Sequence, residues 1–276
     1  IKINGKNIAV NDLKDITKLF PADAIKSIQL INEYTLLDRI TGRKIDPSNN
    51  VLNIQTKTQK GLMLTALAGA GTSERYSTSS MLNVINGPAV STLGFTSNNT
   101  SPALNLTETH GNANYATTLK TNFSLDGGLF FSSTNSTNRS NSLTTTQSDY
   151  GTLQTLDNIN QAAKFKSLNV RTNGEKLVNS SPVLAYSLGY YTQQSDNLSE
   201  LLSTQTGFQH QVTATKRNNV DNTKNPSGNI FLAHKSKNGK IILSNQLAAN
   251  TLLNDNQLNE DNHIQFYDQD SLLGDS

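Results

Sequence analysis

Several stretches of this chain alternate apolar and polar residues with a period of two, a pattern that suits half-buried β-strands and not amphipathic helices. Phe123, Leu125, Leu129 and Phe131 alternate with Ser124, Asp126, Gly128 and Ser132, interrupted only by Phe130. Leu184, Tyr186, Leu188 and Tyr190 alternate with Ala185, Ser187 and Gly189. Leu62, Leu64, Ala66, Ala68 and Ala70 make a third face, and Ile241, Leu243, Leu247 and Ala249 a fourth. In a soluble sheet such faces cover a core; in a membrane barrel they meet lipid, while Ser, Asn, Thr and Asp face a wet lumen. Residues of the AVILMFWYC class make up 34% of the 276, which is low for a globular core of that size. Either little of the chain is buried, or each strand buries one face.

The connections separate the two cases. Thr72 to Arg75 joins the first pair of strands, and tight turns are expected at Asn86-Gly87-Pro88, around Leu119 to Asn122, at Asn173-Gly174-Glu175-Lys176 and at Lys237-Asn238-Gly239-Lys240. Asn-Gly is a strong hairpin signal because both residues accept positive φ. Between these turns lie long polar stretches, expected as loops: Thr96 to Gly111, Thr134 to Ala163, Gln193 to Ser227, and Asn254 onward. Short turns at one end and long loops at the other are the habit of a membrane barrel, with the short turns periplasmic. The expectation is about nine antiparallel strands in up-and-down order, forming an arc. Tyr76, Tyr115, Tyr186 and Tyr190 then read either as aromatic girdles or as plain packing.

The first 57 residues have another style. Asn11 or Asp12 can cap a short helix whose apolar stripe is Leu13, Ile16, Leu19 and Phe20. Pro21 to Lys26 reads as one helical turn, with Asp23 placed to suit its N-terminus. Ile28 and Leu30 on one strand, and Leu52 and Ile54 on another, are expected to share a small core, with the polar segment Tyr34 to Asn50, carrying Gly42, as a loop. Periodicity alone describes an ordinary small α+β unit, separate from the hairpins that follow.

Five elements in this region occur in a particular order: Asn4-Gly5-Lys6, then Pro21-Ala22-Asp23-Ala24-Ile25, Ile28 to Ile31, Thr41-Gly42, and Leu52-Asn53-Ile54 with Thr56-Lys57. Together they resemble the later half of the plug domain of TonB-dependent outer-membrane receptors, in the Bacteroidota-type family whose plug reads roughly VNGK … LPADAI..I.VI … G … VLNI.TK. The segment Leu36 to Ser48 lacks the Gly-rich loop of the wider superfamily. The resemblance implies a mainly β fold: residues 1–57 as the C-terminal half of a plug and 58–276 as the first strands and loops of a transmembrane β-barrel. It further implies energised uptake of a substrate across the cell outer membrane, with outer-membrane lipid and the TonB complex as partners. The segment that contacts TonB would lie upstream of Ile1, so the chain reads as an internal fragment. The mechanism needs no catalytic residue, cofactor or metal in this chain, and its substrate contacts stay open.

Other chemistry finds little support. A formal net charge of +2 with scattered basic residues gives no nucleic-acid footprint. Cysteine is absent, which removes disulfide frameworks and Cys-based zinc or redox sites. No run of 18 apolar residues encodes a transmembrane helix. His110, His210, His234 and His263 are isolated from one another, no nucleophile elbow, phosphate loop or H-E-x-x-H occurs, and the carboxylates form no acid/base pair. The alternatives from other classes are a Ser/Thr/Asn-rich secreted or surface adhesin and a soluble carbohydrate-binding sandwich. No fixed repeat supports a solenoid adhesin, and the absence of Trp weighs against the sandwich.

Overall fold

A computed structural model describes residues 2–8, 22–34, 49–101, 105–120, 122–178, 181–207, 210–235, 242–268 and 271–275. The fold is mainly β and has two sheets. The first is built from β1 (Lys2–Ile3), β2 (Lys6–Asn7), β3 (Ile25–Glu33) and β4 (Asn49–Thr56), in the order β2-β1-β4-β3. β1 runs parallel to β4, and the other pairs are antiparallel. The expected turn before β3 is a 3₁₀ turn at Ala22–Ala24. The expected helix from Asn11 to Phe20, Pro21, and the Thr41-Gly42 element lie outside the described residues.

The second sheet starts after Lys57 and has eleven strands: β5 (Lys60–Ala70), β6 (Tyr76–Asn86), β7 (Ala89–Ser101), β8 (Leu106–Thr118), β9 (Phe123–Ser148), β10 (Gly151–Val178), β11 (Ser181–Gly207), β12 (His210–Lys235), β13 (Ile242–Asn250), β14 (Leu253–Asp268) and β15 (Ser271–Asp275). Each strand from β5 to β12 pairs antiparallel with the next, as an up-and-down meander requires. β4 pairs with β1 and β3 while β5 pairs with β6, so the two sheets are separate. β13 and β14 both lie antiparallel to β12, end to end, and the break between them falls opposite Pro226. Proline has no N–H to give the ladder, and the one bond retained there runs from Thr251 N–H to the Pro226 carbonyl at 3.2 Å. The strand count exceeds nine because of this interruption and because β15 folds back on β14. The order is linear and does not close: among the described residues β5 pairs on one side only.

The long polar stretches are not loops. Thr134 to Ala163 is the tip of the β9–β10 hairpin, with only Asp149 and Tyr150 at its turn, and Gln193 to Ser227 is the β11–β12 hairpin. Asn254 to Asp268 belongs to β14. Thr96 to Gly111 likewise extends β7 and β8. These segments are polar on both faces, so they carry no period-two signal, yet a two-stranded ladder needs only backbone pairing and extended residues such as Thr. The asymmetry expected in loop length is therefore an asymmetry in strand length, 11 residues in β5 against 28 in β10.

Asn173-Gly174 is also not a turn. It sits inside β10, and the connection falls between Val178 and Ser181. A Cβ at Gly174 would stand 2.1 Å from Tyr186 Cε1 and 2.8 Å from Phe123 Cζ, so the glycine makes room for two rings across the strands. Elsewhere the turn chemistry holds. Ser73 and Glu74 both have φ of 60°, as a type I′ hairpin requires, and Gly87 has φ of 56° between β6 and β7. Lys237 to Lys240 lies outside the described residues, between β12 and β13.

The buried core lies where the two sheets meet. Ile3, Ile8 and Ile54 of the small sheet cluster with Met81, Ile85, Val90 and Ala116 of the large one. Ile28 and Leu30, expected in that core, are 58% and 70% exposed because β3 is the outer strand of its sheet. Ile54 is 1% exposed at the centre of the cluster, so Ile54→Ala should cost about 2–4 kcal/mol, read by denaturant unfolding. The same variant should speed proteolytic cleavage near Lys57, since the small sheet loses its main hold on the large one.

Candidate functional site

Cross-strand register places the apolar residues of successive strands side by side. One row runs Leu64, Leu82, Leu93, Ala113, Leu129, Val170, Tyr190, Pro226 across the eight strands β5 to β12. One residue along, on the opposite face, the row is Met63, Asn83, Thr92, Asn114, Gly128, Arg171, Gly189, Ser227. Rows above and below extend the apolar face with Leu62, Val84, Phe95, Phe131, Leu168, Leu188, Ile230 and Leu247, in a band that runs from Phe123 to Phe131 along β9. A tilted strand needs about 9–11 residues to cross a hydrocarbon layer. Tyr76, Tyr115, Tyr186 and Tyr190 all lie on the band's side.

The band is bare. Leu64 is 69% exposed, Leu93 57%, Leu188 47% and Leu247 71%, and no described element lies over them. The Leu184, Tyr186, Leu188 and Tyr190 face is exposed or half-buried at its own surface rather than packed under a second layer. The small sheet covers the other face. Its cluster contacts Ile85, Val90 and Ala116, and the Lys6 ammonium donates to Thr118 Oγ1. Burial, and then the charge of Lys2, holds the Lys6 pKa below the ordinary lysine value. The total accessible surface of 17725 Å² fits this arrangement, against about 11,700 Å² for a compact monomer of 30.0 kDa.

The motif residues at 1–57 are brought together. Asn4, with φ of 50°, and Gly5, with φ of 79°, form the two-residue turn between β1 and β2. Asn4 Oδ1 accepts the Thr56 N–H at 3.0 Å, and Asn4 Nδ2 donates to Thr56 Oγ1 at 2.8 Å. Asn53, 3% exposed, accepts the Gly5 N–H at 2.9 Å and donates to Gln29 Oε1 at 3.0 Å. Lys57 N–H donates to the Ala24 carbonyl at 2.9 Å, which ties the 3₁₀ turn to the end of β4. Asp23 is exposed, Ile25 is partly buried against the core, and Ala22 is exposed. The spacing of these residues thus has a physical basis: one buried amide and one turn stitch three strands together.

On the polar face beyond the band, β9 to β12 form a groove of about 420 Å³ lined by Ser136, Asn138, Gln161, Asn197, Ser199, Arg217 and Asn219 among others. Arg217 is the charged group of this lining. It is already engaged, donating from Nε at 3.0 Å and Nη2 at 2.6 Å to Glu260 Oε2. With Ala162, Ala163 and Leu198 also in the lining, the groove offers amide and hydroxyl groups beside apolar surface, and its cation is already paired. No residue of this groove carries a signal in the sequence, because its positions lie in polar stretches that read as loops. His110 stacks on Phe130 with ring centroids 6.4 Å apart, and His210 lies 5.1 Å from Tyr267.

No protein-family model matches this chain, and no curated protein matches it in sequence.

Hydrogen bonds from Arg217 and then Asn262 hold the Glu260 carboxyl below its ordinary value of 4.5. A depressed carboxylate contributes above its unfolded pKa and loses that contribution as pH falls through the lowered one. Carbon-detected titration should place Glu260 below pH 4.5, and Arg217→Gln should move it back towards that value.

Proposed function

We propose that this chain is part of a TonB-dependent receptor-like outer-membrane protein, with residues 1–57 as the later half of its plug and 58–276 as the first strands of its barrel wall. The observation that carries the reading is the placement of cover. A soluble sheet covers its apolar face and wets its polar one. Here the small sheet sits on the polar face and no described residue covers the apolar face, the arrangement expected of a barrel wall with a plug in its lumen.

The lengths of the strands agree with this. The strands exceed the band at the end away from the small sheet, where β9 continues from Phe131 to Ser148. At about 3.3 Å per residue these seventeen residues reach about 55 Å beyond the band. On this reading the hairpins stand outside the cell, and the tight connections beside the plug face the periplasm. The strand edge of β5 is where further wall would join, since plugged outer-membrane transporters use about 22 strands.

In this role the chain does no covalent chemistry. A substrate binds the polar face and the plug, and energy delivered through TonB displaces the plug from the wall. The contacts to be broken are the Ile3, Ile54, Ile85 and Val90 cluster and the Lys6–Thr118 hydrogen bond. An adhesin needs no such cover on its polar face, and the small sheet is what favours import over adhesion.

Residues 1–276, expressed alone, should aggregate or require detergent, because among the described residues neither the band nor the outer edge of β5 has a partner. Analytical ultracentrifugation with and without detergent tests this. A monodisperse detergent-free monomer that unfolds cooperatively would contradict the proposal.

A further inference from the structure

A second apolar patch lies on the band's side of the large sheet, far out on the protruding hairpins. Leu143 on β9 and Leu156 on β10 stand opposite each other, and their row continues through Thr204 and Val212 to Gln265 on β14. The next row towards the band holds Leu202 and Ala214. Leu143 is 65% exposed, Leu156 42% and Leu202 45%, and no described element lies over them. Leu143 stands about 40 Å beyond Phe131 along β9, so a hydrocarbon layer that covers the band does not reach it. In the neighbouring rows lies a hollow of about 340 Å³ whose lining includes Leu202, Ala214, Lys216, Asp261 and His263. The leucine pair belongs to the β9–β10 side of the patch, and most of the hollow to the β11–β14 side.

Charge is divided in the same way. In the following row Arg139 on β9 has Asn160 opposite it, and the carboxylate of that row nearest to it in register, Glu200, is two strands away. At the other side Lys216 stands between two carboxylates: Glu200, which it meets at 3.0 Å, and Asp261, which is opposite it on β14. One half of the row is therefore net positive and the other net negative. A half-turn about an axis along the strands exchanges the halves and lays β9 of one copy over β14 of a second. Leu143 and Leu156 then enter the partner's hollow, Arg139 meets the partner's Asp261, and Glu200, on the axis, stays with its own Lys216. Two copies in one membrane share its normal, so the outward face is the one that they turn to each other. Resting on the membrane reading above, we propose that this patch is the interface of a two-fold dimer of the chain, formed outside the membrane by sheet packed on sheet. The size suits a dimer. The patch measures about 24 Å by 27 Å, or about 650 Å² in projection, against about 800 Å² per partner in a standard interface.

The test uses the full chain in detergent micelles, with the dimer dissociation constant read by sedimentation and the contact surface by cysteine cross-linking. Thr204→Cys, on the axis, should be joined to its copy by a short bismaleimide, and Ser203→Cys, one residue along on the opposite face, should not. Leu143→Asn with Leu156→Asn should weaken the dimer roughly 30-fold. Arg139→Glu should weaken it roughly tenfold, and adding Asp261→Arg should recover most of that loss. A chain that stays monomeric in micelles, its leucines left to some other protein, would overturn the interface and leave the membrane reading intact. A dimer indifferent to these substitutions, as pairing through the β5 edge would give, would do the same. A dimer that forms without detergent and cross-links through Leu188→Cys in place of Thr204→Cys would put the band itself in the interface and overturn the membrane reading.

Discussion

Backbone pairing in a fixed register is the constraint on which the rest depends. Because side chains alternate between faces, a slip of one residue at any ladder would carry Leu129 or Tyr190 to the face of Asn114 and Ser227. The ladders from β5 to β12 hold their alignment through the band, with register irregularities only at their ends, between Asn98 and Ser101 and between Lys176 and Leu177. The continuous apolar surface on one side and the amide-rich surface on the other both follow from that alignment. The small sheet then has only one face on which its own polar groups can find partners, and Lys6 meets Thr118 there.

Much of this was legible in the sequence where one face is apolar. The alternations at Leu62 to Ala70, Phe123 to Phe131 and Leu184 to Tyr190 each fall within a strand with the expected residues on a common side. What escaped notice was the polar half of the large sheet. In Thr134 to Ser148 both faces are Ser, Thr, Asn, Gln and Arg with Leu143 alone apolar, so the pattern that marks a strand elsewhere has almost nothing to contrast with, and only the partner strand reveals it.

Glycine was the other source of error. Asn4-Gly5 and Asn173-Gly174 are the same dipeptide, and the first is a turn with positive φ at both residues. The second is extended, because Tyr186 and Phe123 occupy the space where a side chain would stand. Local propensity cannot distinguish a glycine needed for its dihedral freedom from one needed for its missing Cβ. The groove containing Arg217 was missed for a related reason, since its lining comes from four strands in the region taken for loops.

The central claim, that the row from Leu64 to Tyr190 faces lipid, is open to a direct measurement because the chain contains no cysteine. Single cysteines at Leu129, Val170 and Leu188, and at Gly128, Arg171 and Ser187 on the opposite face, would carry nitroxide labels in a reconstituted bilayer. Their collision rates with oxygen and with a water-soluble nickel chelate can then be compared. The account predicts high oxygen access at the first three sites and high chelate access at the second three, alternating residue by residue. Labels at Leu129, Val170 and Leu188 that met the chelate as freely as those opposite would contradict it.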